Sequence, residues 1–144
     1  MWNINKQILD ASKLLNIEVK QLEYNAKKSV IINIANKYIK NDIKYPLWDK
    51  LNDSMAELDE KAWEWVEDFV GNDNVIIFFN PNDEKGAYLL DSGKDLVSIL
   101  GEMYNIEFYL TNQETSYLIC YNHHDVLLAS GEAKFWLKEF NNRN

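Results

Sequence analysis

Apolar residues in the first forty positions recur at helical spacing. Ile4, Ile8, Ala11, Leu14 and Leu15 predict a helix over 3–15, and Ile31, Ile34, Ala35, Tyr38 and Ile39 a second over about 26–40. The stretch IEVKQLEY between them suits either an extension of the second helix or an extended segment. Pro46 forces a break, and Tyr45 before it is biased away from helix. Residues 47–56 then predict a short helix or turn carrying Leu47, Trp48 and Leu51. The clearest periodicity lies in ELDEKAWEWVEDFVGNDN. There Leu58, Ala62, Trp65, Val66, Phe69 and Val70 share one apolar arc, while Glu57, Glu60, Glu64, Glu67 and Asp68 gather opposite. Trp63 stands at the border of the two faces, and Gly71 suits the position just past the helix end.

After residue 72 the pattern changes to short apolar runs divided by turn-forming residues. VIIFF at 75–79, the turn NPNDEKG and AYLLD at 87–91 predict a hairpin. Ser92 is placed to cap a helix over 93–104, with Leu96, Val97, Leu100, Met103 and Tyr104 inward. IEFYL, TSYLICY and DVLLAS predict three further strands, and Phe135, Trp136 and Phe140 lie on a closing helix from about 132 to 140. The second half therefore reads β-β-α-β-β-β-α. Its short connections require mainly antiparallel pairing, because parallel strands need longer crossovers. The expectation is one α+β domain over 1–144: a helical part over about 1–72 packs on a sheet of about five strands over about 73–144, with the helices on one face.

Composition sharpens this picture in two places. With 47% apolar residues in 144, the chain can bury a core without metal or disulfide support, and a single cysteine rules out an internal disulfide. The start, MWNINKQILDASKLL, has no apolar core of a signal peptide, and no run of eighteen apolar residues occurs, so a cytoplasmic protein without a membrane span is expected. Charge is distributed unevenly. Residues 1–48 carry eight lysines against four acids, whereas 49–73 carry nine acids against Lys50 and Lys61. The net charge is −8, and Arg143 is the only arginine. Arginine supplies the planar fork that grips phosphates and guanine edges, so no nucleic-acid partner is expected. An acidic surface instead suits a basic protein.

Candidate chemistry centres on YNHHDVLLASG, which holds the only two histidines, His123 and His124, with Asp125 after them and Cys120 just before. Neighbouring histidines on a strand point to opposite faces, and no further Cys or His completes a zinc-type ligand set, so no metal or cofactor is expected. Cys120 sits in the apolar run YLICY, which favours a buried thiol over a reactive one. A small hydrolase or transferase using Cys120 with His123 or His124 is the competing reading, and a structural or regulatory module of a larger complex a third. No phosphate-loop or nucleophile-elbow signature is present. Asn122 to Asp125 reads best as a tight polar turn between two strands, with Gly131 releasing the chain into the last helix.

The run IEFYLTNQETSYLICYNHHDVLLASG, with its FY-type strand, YLI-type strand and N-H-H-D turn, resembles the ending of a group of small acidic bacterial proteins. These are similar in kind to the immunity proteins encoded beside polymorphic bacterial toxins. The likeness spans about residues 60–136. It implies a non-catalytic protein that neutralises a cognate toxin, such as a basic nuclease, by direct contact. The partner-binding residues expected from charge and aromatic content are Glu57, Glu60, Trp63, Glu64, Glu67 and Asp68.

Overall fold

A computed structural model describes residues 3–40 and 42–143. Helix α1 (Ile4–Leu15) is followed by strand β1 (Lys20–Gln21) and helix α2 (Tyr24–Tyr38). A single 3-10 turn (Leu47–Asp49) leads to β2 (Met55–Leu58) and α3 (Ala62–Val70). Then come β3 (Val75–Phe78), β4 (Tyr88–Leu90), α4 (Gly93–Leu100), β5 (Phe108–Thr111), β6 (Tyr117–Tyr121), β7 (Val126–Gly131) and α5 (Glu132–Arg143). The fold is α+β, as expected, and every described strand pair is antiparallel.

Several boundaries follow from local chemistry. The Asn3 side chain accepts the Lys6 N–H at 2.9 Å and starts α1, and Ser92 Oγ accepts the Asp95 N–H at 3.1 Å and starts α4. Gly71 closes α3, its N–H donating to the Glu67 carbonyl at 3.0 Å. α4 stops at Leu100, four residues earlier than expected. Met103 still turns inward, but Tyr104 is 62% exposed. In α1 the buried stripe is Ile4, Ile8 and Ala11, while Leu14 and Leu15 face out.

Three expectations are corrected. The sheet has seven strands in the order β1-β4-β3-β5-β6-β7-β2, because the first half contributes both edge strands. The helices cover two faces and not one. α1, α3, α4 and α5 pack over Val75, Ile77, Phe108, Leu110, Ile119 and Leu127. α2 and the 47–51 segment cover Ile76, Phe78, Tyr109, Leu118 and Cys120. The cause is visible in β3, β5 and β6, which are buried at every position and so need cover on both sides. Finally, the helix expected from Glu57 begins only at Ala62. Glu57 and Leu58 lie in β2, opposite Leu127 and Val126, and Leu58 is 73% exposed instead of lying on an apolar helical arc. Pairing with β7 overrides the local helical pattern. Asp59 then turns the chain, its carboxylate accepting the Lys61 N–H at 2.7 Å.

Candidate functional site

The loop Tyr121 to Val126 is a hairpin turn organised by Asn122. Its side-chain oxygen accepts the N–H groups of His124 (2.9 Å) and Val126 (3.2 Å), while its carbonyl accepts the Asp125 N–H at 3.1 Å. Asp125 takes the left-handed conformation that Asp tolerates better than most residues, with φ of 61°. The polar turn expected from the sequence is therefore present, and both histidines are exposed on it.

The two imidazoles do not diverge as they would on a strand. Their ring centres lie 3.9 Å apart, and each meets the edge of Trp48 at 6.1–6.2 Å. Glu107 ties this cluster down. One carboxylate oxygen accepts the His123 N–H at 2.9 Å and contacts the His123 ring; the other accepts the Asn80 amide at 3.0 Å and the Trp48 indole at 3.4 Å. Burial alone would raise the Glu107 carboxyl, but the His123 N–H, its imidazole and the Trp48 indole outweigh it and hold the group below the usual carboxylate range. The chain of bonds continues inward. Asn80 accepts from the Tyr109 hydroxyl, which accepts the Leu47 N–H at 3.0 Å. Among the described residues, no group of three or more His, Cys, Asp or Glu side chains could hold a metal ion.

Cys120 lies on the sheet face covered by α2, fully buried, and burial pushes its thiol well above the ordinary range, with the Glu107 charge adding to the rise. Burial that shields the thiol and favours its neutral form weighs against the competing thiol-enzyme reading. Native protein is accordingly expected to resist iodoacetamide, and denatured protein to take one label per chain. Rapid alkylation without denaturant would overturn this assignment.

On the other face the turn borders a cleft of about 370 Å³. Phe108, Met103 and Tyr121 line it, together with Trp63 of α3 and the acidic residues Glu60 and Asp125. Trp63 is half-buried against the core, so its ring is held in place. The Tyr121 hydroxyl lies 3.1 Å from the Asp125 carboxylate and 3.2 Å from the Glu60 carbonyl, able to donate to either. Burial, then the bond to Asp125, raises this hydroxyl far above the usual tyrosine range, so it remains a neutral donor. An apolar wall with two acidic residues is suited to a cationic side chain with an aliphatic stem.

The structure thus brings Glu60 and Trp63 to the N-H-H-D turn. Glu64 and Glu67 stand exposed on α3 and do not line the cleft. Asp68 is engaged elsewhere, accepting the Trp136 indole N–H of α5 at 2.8 Å, and Glu57 sits half-buried on β2. Tyr121, Met103 and Glu107 were not foreseen as site residues. Only their nearness to the N-H-H-D turn, reached through strand pairing, marks them. No protein-family model matches the chain, and no curated protein or solved structure does so either.

Proposed function

We propose that this chain is a non-catalytic cytoplasmic binding protein that neutralises a cognate bacterial toxin by direct contact. The observation that carries the reading is the Trp63-walled cleft with Glu60 and Asp125, continuous along α3 with the exposed carboxylates of Glu64 and Glu67. A basic toxin surface meets there an aromatic anchor for a buried contact and acidic side chains where phosphates would otherwise bind. The uneven charge, −7 over residues 49–73, supports an attraction for a basic partner.

Co-expression with the protein encoded by the neighbouring gene tests the reading directly. Rescue of growth and a co-purifying complex support it; persisting toxicity with no complex sinks it. In such a complex Glu64→Lys with Glu67→Lys is expected to slow association roughly tenfold and flatten its salt dependence, because exposed charges act mainly on encounter. Trp63→Ala should leave association nearly unchanged and speed dissociation. Wild-type kinetics in both variants would place the interface elsewhere.

A further inference from the structure

β2 is an outer strand of the sheet, and hydrogen-bond alternation decides which of its backbone groups face out. The Asp59 N–H donates to the Asp125 carbonyl at 2.9 Å, and the register continues Leu58↔Val126, Glu57↔Leu127, Ala56↔Leu128 and Met55↔Ala129. In an antiparallel ladder bonded pairs alternate with non-bonded ones, so Glu57 and Met55 bond β7. The far side of β7 agrees: the Asn122 N–H donates to the Val126 carbonyl, and the Glu132 N–H to the Ser116 carbonyl, which assigns the even-numbered residues to β6. Ala56 and Leu58 therefore turn their N–H and C=O groups away from the sheet. No hydrogen bond to either is made by any described residue, and both side chains are exposed.

Such an edge is a template for another strand, which proteins usually blunt by shortness, charge or cover. The opposite edge follows that practice: β1 has two residues and begins with Lys20. β2 is twice as long and carries the exposed Leu58. Its charge also selects the occupant. Asp53, Glu57, Asp59 and Glu60 flank the edge; among the described residues, only Asp53 has a cationic partner, Lys134 at 2.7 Å. A second copy laid antiparallel on β2 and centred on Glu57 would set that carboxylate against its own equivalent on an edge already rich in acids, which is unfavourable.

We infer that the free edge of β2 takes up an extended, lysine- or arginine-bearing segment of a partner protein as an eighth strand, hydrogen-bonded to Ala56 and Leu58. The choice of a protein as occupant rests on the binding function proposed above, but the strand addition is measurable without any toxin. The probe is a short synthetic peptide alternating lysine and valine, with its glutamate counterpart as control, added to isotopically labelled full-length chain. Amide exchange at Ala56 and Leu58 is expected to slow roughly fivefold with the lysine peptide, while the already bonded Glu57 amide changes little. The glutamate peptide should have no effect. Ala56→Pro removes one outward donor without touching the β7 ladder, a change edge strands accept, and should abolish the protection at Leu58. Should that variant fail to fold, Leu58→Lys supplies the same test by placing a cation on the edge.

Binding without protection of these two amides, equal effects of both peptides, or undiminished protection in the edge variants would overturn the inference. So would concentration-dependent protection in the chain alone, which would assign the edge to a second copy. If the peptide protects the edge but co-expression gives no rescue, strand addition stands and the toxin reading falls. Rescue with an unprotected edge does the reverse.

Discussion

Replacing Gly131 by alanine is expected to destabilise the protein by about 3 kcal/mol, lowering Tm by roughly 10 °C for a chain of this size. Two independent costs add at this position. Gly131 has φ of +67°, a conformation that L side chains rarely adopt. A Cβ there would also stand 2.6 Å from the Ser116 carbonyl oxygen, 2.7 Å from the Tyr38 hydroxyl and 3.1 Å from Tyr117 Cα. Two of the three are backbone atoms that cannot swing aside. The Ser116 carbonyl is held by the Glu132 N–H at 3.1 Å, and the Tyr38 hydroxyl is itself held by the Thr115 carbonyl at 2.8 Å. Relief would have to come from parting β7 from β6 or α2 from the sheet. Gly101→Ala is the matched control. Gly101 has helical backbone, and the nearest contact of an added Cβ is an ordinary 3.5 Å, so its thermal unfolding should stay near that of the wild type. Equal melting temperatures for the two variants would refute the steric account.

The handover at Gly131 was legible in the sequence, as were the N-H-H-D turn, the cap at Ser92 and the hairpins, because each depends on residues within a few positions of one another. What was hidden depends on distant partners. Met55–Leu58 carries no strand signature of its own and runs into a strongly helical pattern; only β7, far along the chain, makes it a strand. The cover on both faces was legible in principle. VIIF, FYL and YLICY are unbroken apolar runs, which a sheet with one wet face would have interrupted with polar residues. In the candidate site, Trp63 and Glu60 could be chosen from helical border position and charge. Their convergence with Tyr121 and Asp125 required the register of β6, β7 and β2 to be known. Glu107 is the clearest case. In isolation it is one more acid in an acidic chain, and only the fold assembles three donors around it.

That assembly makes Glu107→Gln the second large effect, an expected loss of about 2 kcal/mol at neutral pH. The carboxylate accepts from the His123 N–H, the Asn80 amide and the Trp48 indole, and it contacts the His123 ring. Glutamine keeps one acceptor oxygen and turns an NH₂ toward donors on the other side, so at least one of these donors loses its partner. The sign of the pH dependence follows from the lowered folded-state pKa of Glu107. In the unfolded chain the group titrates near the ordinary value of about 4.3, higher than in the fold. Its contribution is therefore fully present above that value and lost as pH falls through the folded-state pKa. The stability gap between wild type and Glu107→Gln should be widest near neutrality and narrow progressively on acidification below about pH 4. Urea unfolding at a series of pH values measures it. Repeating the series on a His123→Asn background removes the histidine ring, so that any remaining slope belongs to the carboxyl. A gap that widens toward acid would mean that burial, and not the surrounding donors, governs Glu107. The same change should loosen the Trp48–His123–His124 cluster, because Glu107 bonds both the tryptophan and the turn. Faster amide exchange at His123 and His124, with the Cys120 amide still protected, would locate that loosening in the turn and leave the sheet beneath it intact.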